Sequence, residues 1–591
     1  MAKHWRIVTH NSERIARLER ASGLPTVLAQ LLVGRGIMDA DAARLFLEAR
    51  LTGLRDPDIL PGARDAARLL AAAVRDGRRI VIYGDYDADG MTGTAILFSC
   101  LKLFNAQVHF YVPNRLDEGY GLNDEAIRKI AAQGTDLIVT VDCGIAGLRE
   151  ASTARSLGIS LIITDHHEPA DRLPDADVIV HPGLPGHVYP FAGLAGSGVA
   201  LKVAWALCQE INGSRRVPTR LKDFLLQAVG LAALGTVADV VPLLDENRIL
   251  VRHGLNSLQR CPPLGVAALS QITRLDSKAT LCSEDIAFTL APRLNAAGRL
   301  GQAALAVELL TTDDPERVAE LAKYVHELNG TRDRLERRVY LAARRQIDEH
   351  YHPETDPALV LAGRGWHAGV IGIVAGRLAE KYHRPVVLIA LDKLGVKPGA
   401  GSARSVAGFF LHEALQECSD YLLTHGGHAA AAGLTVRESQ VDRFREAFCE
   451  LAASEIAHDQ RVPELHIDAE TPLTALSMET VHQIERLAPF GQGNPRPVLC
   501  ASGVHMVQPP RQIGDGGRHL SVVLGQHGTQ LRSVAFGGGE WMEELSRVDQ
   551  PLSVAFKPVI NEFRGRRSVE LHLADWRVSQ PADASSEVLT R

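Results

Sequence analysis

The chain has 591 residues, 46% of them apolar and 23% charged, which exceeds what one hydrophobic core supports and predicts several folded domains. A formal net charge of −6 excludes the broad basic excess with which many nucleic-acid binders announce themselves, so any polyanion must meet a local positive patch. Eight cysteines without a CxxC pair argue against a zinc ribbon or disulfide framework. With no apolar leader pattern and no uninterrupted apolar run near ~20 residues, a cytoplasmic protein that does not span a membrane is expected.

Residues 1–75 carry helical patterns such as RDAARLLAAAVRDG, with Gly77 as a stop, and are read as an N-terminal helical region. From Arg79 the pattern alternates. RIVIYGDYD, QVHFYVPNR, DLIVTVDCG and SLIITDHHE read as strands, separated by the helical MTGTAILFSCLKLF, NDEAIRKIAAQG and REASTARSLG. Apolar runs this continuous predict strands covered on both faces, hence a parallel sheet with crossover helices over 76–240.

Helical periodicity then dominates, and 241–352 is read as a helical connector. It includes PERVAELAKYVHELNGTRDRLERRVYLAARRQIDEH, interrupted only at Asn329-Gly330. The arginines of this stretch read as a solvated face with Glu327, Asp333 and Glu336 as partners. A second α/β unit follows over 353–455. Short β patterns over 460–578 suggest a small barrel, and 579–591 a flexible tail. The fold class is therefore α/β with a C-terminal β-barrel.

Ligands in parallel sheets gather outside the carboxyl ends of the strands, and the acidic and histidine clusters of this chain fall there. In VIYGDYDADG, Asp85, Asp87 and Asp89 alternate between Gly84 and Gly90. One aspartate would be a turn or a helix cap, but three repel one another unless a cation sits among them. Asp87-Ala88-Asp89-Gly90 is also compatible with the nucleophile loop of haloacid-dehalogenase-type phosphatases, whose mechanism has no use for a histidine pair on another strand. TDHHE, with Asp165, His166 and His167, decides against that reading. Neighbouring side chains at a strand end point in different directions, so one histidine is free to ligate a metal while the other contacts a phosphate or a second metal. Asp142 in TVDCG lies at the same edge. Asp239, alone in the apolar GLAALGTVADVVPL, needs a cation or a hydrogen-bond partner. Together these residues suggest a two-metal site.

DYDADG, VDCG, TDHHEP and GTVADVVPL resemble the four motifs of the DHH phosphoesterase superfamily, and GSARS with HGGHAAAAG resembles its DHHA1 companion domain. LAPRLNAAGRLG and LAPFGQGNPRPV are similar to the RecJ branch, the single-strand-specific exonucleases. The resemblance spans about residues 40 to 578. It implies that Asp85, Asp87, Asp89, Asp142, His166 and Asp239 hold one or two Mn2+ or Mg2+ ions, with Asp165 and His167 completing the catalytic set. Some members carry His where Tyr83 stands here.

By the same resemblance Ser402 and Arg404 are candidate clamps for a 5′-terminal phosphate, and His428, Arg115, Arg293, Asn295 and Arg299 are candidate substrate contacts. The barrel becomes an OB-fold with Arg564 on a basic hairpin. The implied activity is metal-dependent 5′ to 3′ hydrolysis of single-stranded DNA in repair and recombination, by a monomer partnered with a single-strand-binding protein and a helicase. Relatives acting on short oligoribonucleotides or cyclic dinucleotides lack the extra barrel, and inert DNA-binding scaffolds lose the acids that this chain keeps.

Overall fold

In the computed structural model, which describes residues 3–115, 118–352, 355–456, 462–563 and 565–579, the alternating pattern after Arg79 becomes a five-stranded parallel sheet. Its strands are β1 (Arg79–Gly84), β2 (Gln107–Tyr111), β3 (Leu137–Val141), β4 (Ser160–Thr164) and β5 (Val178–Val180), in the order β2-β1-β3-β4-β5. Alternate residues feed two cores: Ile80 and Ile82 enter one face, Val81 and Tyr83 the other. Three helices, α1 (Ala88–Leu103), α2 (Gly196–Asn212) and α3 (Thr219–Ala238), pack together against the first face. Among the described residues α3 is the one helix long and apolar enough to cross a membrane. Its second half, from Ala228 to Val237, is buried in this core.

A π-helical turn, Ile286–Leu290, runs into α4 (Ala291–Arg299), and α5 (Pro315–His350) follows as one continuous helix of 36 residues. The interruption expected at Asn329-Gly330 is not there. Asn329 turns its side chain along the helix, accepting from Arg332 at 2.8 Å, and Gly330 meets only open space and the tip of Arg334. The arginines follow the expectation only in part: Arg332 pairs with Asp333 and Glu336 but is largely buried rather than solvated, and Arg344 and Arg345 pair instead with Asp348 and Glu349.

The second α/β module comprises β6 (Leu359–Arg364), α6 (Ala368–Tyr382), β7 (Val386–Leu391), β8 (Gly399–Arg404), β9 (Leu422–Gly427) and β10 (Ala431–Val436). Its strand order is β9-β10-β8-β7-β6, with only β6 and β7 parallel. Residues 50–461 and 491–494 form one compact unit.

Residues 1–49, 462–490 and 495–591 form the other unit. Here β11 (Leu499–Ile513), β12 (His519–Gln526), β13 (Thr529–Ala535), β14 (Leu552–Phe563) and β15 (Arg566–Val578) close into a barrel. β11 pairs with both β12 and β14, and the path returns through β13 and β15. The N-terminal segment divides rather than forming one helical region. Helices Ser12–Ser22, Thr26–Gly34 and Ala40–Glu48 share the barrel's core, whereas Ala63–Arg75 packs on the parallel sheet.

Candidate metal centre

The carboxyl edge of the parallel sheet collects the acids. Asp85 follows β1 directly and is buried. Asp87 caps α1, its Oδ1 accepting from the backbone N–H of Asp89 at 2.9 Å and of Gly90 at 3.0 Å. Asp89, in the first turn of α1, is fully buried and accepts from the N–H groups of Gly196 (2.6 Å) and Ser197 (3.0 Å) at the start of α2, where the helix dipole favours a carboxylate. Asp142 follows β3 with φ 64°, a left-handed conformation tolerated by Asp and Asn. Asp239 ends α3.

Asp165 follows β4 and works differently. Its Oδ1 accepts from the backbone N–H of His166 (2.7 Å) and His167 (3.1 Å) and meets Nδ1 of His167 at 2.8 Å. Its Oδ2 accepts from Ile145 N–H at 2.9 Å. With both oxygens engaged, it fixes the histidine pair rather than offering a ligand.

His166 Nε2 reaches to 3.1 Å from Asp142 Oδ1, 3.5 Å from Asp239 Oδ2 and 4.0 Å from Asp89 Oδ2. Three groups of donor atoms converge within 4.8 Å: Asp89, His166 and Asp239; Asp85, Asp87 and Asp142; and Asp142, His166 and His167. Burial, followed by the neighbouring carboxylates, raises the Asp85 and Asp142 carboxyls well above the usual range, Asp239 to about 9 and Asp89 to about 6. Burial, then the neighbouring His167, lowers His166 to about 4. For His167, burial works downward, but the Asp165 hydrogen bond and charge outweigh it and raise the ring to about 9. Asp85 Oδ1, Asp142 Oδ1 and His166 Nε2 are buried without a hydrogen-bond partner. Unpartnered oxygens and an imidazole nitrogen among mutually repelling acids fit hard divalent cations.

Beside the acids lies a cleft of about 260 Å³ lined by Asp85, Asp87, Arg115, Asn295, Arg299 and three residues that the sequence reading does not single out, Tyr86, Tyr120 and Ala238. The Tyr120 hydroxyl lies 3.2 Å from His167 Nδ1 and 3.3 Å from the Asp142 carbonyl oxygen. Its only sequence signal is an aromatic between two glycines in EGYG. Arg115 lies over the Tyr86 ring at 5.1 Å. Asn295 Oδ1 accepts from Ala88 N–H at 2.8 Å, tying α4 to α1. Arg299 donates to the Gly369 carbonyl at 3.2 Å, and burial together with the like charges of Arg115, Arg332 and Arg404 lowers it to about 10. This cluster of guanidiniums is a local positive patch within a chain of negative net charge.

Ser402 and Arg404 stand side by side on β8, with Arg404 Nη1 3.2 Å from Ser402 Oγ. α6 lies so close that a Cβ on Gly372 would come within 2.9 Å of Ser402 Oγ and 3.0 Å of Arg404 Nη2. Neither Ser402 nor Arg404 lines the cleft, although the Arg404 charge acts on Arg299, and two further candidates also lie away from its lining. Arg293 turns to the Thr289 carbonyl and His326. His428 is exposed at the β9–β10 turn, where its backbone N–H donates to the Ala431 carbonyl at 2.9 Å. Tyr83 is buried on the opposite face of the sheet, donating to the Gly121 carbonyl at 3.0 Å, so it contributes no ligand. Arg564 lies outside the described residues.

Family models match in three places: the DHH family N-terminal domain over 79–233, the DHHA1 domain over 355–454 and the RecJ OB domain over 467–575. The chain is 38% identical over 578 residues to the single-stranded-DNA-specific exonuclease RecJ of Bacillus subtilis, covering 98% of this chain and 71% of that one. To the Escherichia coli protein of the same name it is 35% identical over 563 residues, covering 93% and 95%. The crystal structure of RecJ in complex with Mn2+ from Thermus thermophilus is similar at a TM-score of 0.82 and 32% identity, covering 98% of this chain and 80% of that one. The Mg2+ complex from the same organism gives 0.75 and 30%, covering 98% and 79%.

Proposed function

The chain belongs to the RecJ family of single-stranded-DNA-specific exonucleases, and on that premise we propose that it hydrolyses single-stranded DNA from the 5′ end to mononucleotides, in repair and recombination. The observation that carries this reading is the contiguity of two kinds of site: carboxylates and an imidazole converging within 4.8 Å, bordered by the guanidiniums of Arg115, Arg299 and Arg404. The donor sets suit two divalent ions, Mn2+ or Mg2+, held by Asp89, His166 and Asp239 on one side and by Asp85, Asp87 and Asp142 on the other, with His167 adjacent. When bound, such ions supply Lewis acidity for activating water and for stabilising the leaving oxygen of a phosphodiester.

The chain's own residues do the rest. Asp165 Oδ1, 2.8 Å from His167 Nδ1, holds that ring in one direction beside the acids, where its charged form is favoured. Arg115 and Arg299 attract the phosphodiester into the cleft. Ser402 and Arg404 offer a hydroxyl and a guanidinium to a terminal phosphate, while the 5′ polarity rests on the likeness to RecJ. Asn295 holds α4 against α1 and so keeps Arg299 beside the acids. The barrel matched to the RecJ OB domain favours a strand of many nucleotides over the short oligoribonucleotide or cyclic-dinucleotide reading. The retained acids argue against an inert scaffold. A single-strand nuclease needs its substrate exposed, so a helicase and a single-strand-binding protein are the proposed partners, in the cytoplasm. The candidate site draws its residues from one compact unit, which supports action as a monomer.

Digestion of 5′-labelled and 3′-labelled single-stranded DNA, with duplex and RNA controls, tests this. Mn2+-dependent release of 5′-labelled mononucleotide from single-stranded DNA from the first turnovers, absent in His166→Ala, is the expected result. Initial release of the 3′ label reverses the proposed polarity, and cleavage confined to very short RNA overturns the substrate.

A further inference from the structure

Phe536 follows β13 on the barrel and is 63% exposed. Its ring is braced by two imidazoles: His519 at 5.4 Å between centroids and 70° between planes, and His572 at 4.9 Å and 85°. Both braces are themselves held. Gly537 N–H donates to His519 Nδ1 at 2.9 Å. His572 Nε2 lies 3.3 Å from Glu570 Oε1, and Glu570 is tied to Arg532 at 2.6 Å.

The strand register extends this cluster into a row. Leu520 faces Ala535, which makes His519 and Phe536 the next opposing pair beyond the ladder. Val534 faces His572 on β15, and His572 faces Lys557 on β14. Four neighbouring strands thus present an imidazole, a phenyl ring, an imidazole and an ammonium in sequence. Lys557 has no ion-pair partner among the described residues. Lys557 and Arg496 both act on His572 as nearby positive charges.

We propose that this row is a nucleobase-stacking platform, with one base of single-stranded DNA lying on Phe536 and a flanking phosphate drawn to Lys557. The platform rests on the reading of the chain as a single-strand nuclease. An open ring between held polar groups, with a cation alongside, is the combination that binds single strands, since every base has a π-face and every linkage a charge. A protein-docking surface would need a contiguous apolar patch or a pocket for an anchor side chain. Here the apolar element is one ring set among charged and polar groups.

The test uses the full chain with EDTA, so that the strand is not consumed, and compares wild type with Phe536→Ala, Phe536→Trp and Lys557→Ala. Phe536→Ala is expected to weaken oligo(dT) binding by about tenfold, the loss of one stacked base. Phe536→Trp should bind like wild type and show added indole emission that oligo(dT) quenches and an abasic strand of the same length does not. Lys557→Ala should reduce the steepness of the salt dependence by about one ion. Wild-type binding with Phe536→Ala unchanged overturns the platform while leaving the nuclease reading intact. Equal quenching by the abasic strand or by poly-glutamate shows a polyanion surface or a protein-docking site instead, and also overturns it. Wild type that neither binds single-stranded DNA in EDTA nor cuts it once Mn2+ is supplied overturns the functional reading on which the platform rests.

Discussion

Asp142 sits at φ 64° with its carboxylate buried, one oxygen lacking a hydrogen-bond partner, and the charges of Asp89, Asp87, Asp85 and Asp239 acting on it. Such a group destabilises the metal-free fold, as a carboxylate suited to holding a cation does. Asp142→Asn preserves shape and tolerance of the left-handed backbone while removing the charge. In EDTA the variant should therefore unfold at a higher temperature than wild type. The thermal shift that Mn2+ gives wild type, worth about 2.7 kcal/mol at a hundredfold excess over the dissociation constant, should disappear. Hydrolysis should fall roughly a thousandfold or more, since a metal ion contributes several kcal/mol to such a reaction. Thermal melts with and without Mn2+, read beside initial rates, check all three; a variant less stable without metal would mean the carboxylate stabilises the fold. At this scale the sequence revealed which residues could act, because acids and histidines at apolar strand ends have few bland explanations. It could not reveal directions. Arg293 and Arg299 share one helix and one motif, yet one turns to the Thr289 carbonyl and the other to the cleft. Tyr120 carries no ligand chemistry to draw attention.

The helices fix the site through close approaches that small residues permit. A Cβ on Gly235 of α3 would lie 2.3 Å from Asp89 Oδ1 and from Ser197 Oγ and 2.5 Å from Thr92 Oγ1, so α1, α2 and α3 meet at the candidate metal ligand Asp89 without spare volume. Gly235→Ala should cost about 1–3 kcal/mol of stability through overpacking and weaken Mn2+ binding as Asp89 is displaced. Gly330→Ala in α5 is the contrasting case. Its Cβ would meet only the flexible end of Arg334 at 3.6 Å, so the helix should gain about 0.5–1 kcal/mol with activity unchanged. Urea unfolding midpoints and Mn2+ titrations of the two variants separate steric conflict at the site from backbone propensity. The element pattern was readable because both sheet faces are covered and the strands are nearly all apolar. The misreading at Asn329-Gly330 has the converse cause. One glycine costs about 1 kcal/mol in a helix, less than the packing of Val325, Val339, Ala343 and Ile347 along the same helix returns.

For the whole molecule, what sequence order concealed is that the two ends of the chain belong together. Strand His4–Ile7 pairs in parallel with Glu464–Ile467, and Leu18, Leu28, Leu31, Leu32 and Leu47 share a core with Leu499, Leu524, Phe556 and Leu571 of the barrel. Helical periodicity identified the N-terminal helices but carried no information about which core their apolar faces would enter. Among the described residues, the cores of the parallel-sheet domain draw no buried side chain from before Leu60, although Leu51 and Leu54 pack against one of them. Deleting residues 1–49 should therefore act on one unit and spare the other. The truncated chain should expose the barrel core, bind apolar dyes and lose its C-terminal region first to limited proteolysis. Its Mn2+-dependent hydrolysis of oligonucleotides a few residues long should persist, while its affinity for long single strands falls with the barrel. If instead the truncation abolishes hydrolysis of the shortest substrates and leaves the barrel resistant to protease, then the first 49 residues support the catalytic unit, and the division of cores does not describe how the molecule is stabilised.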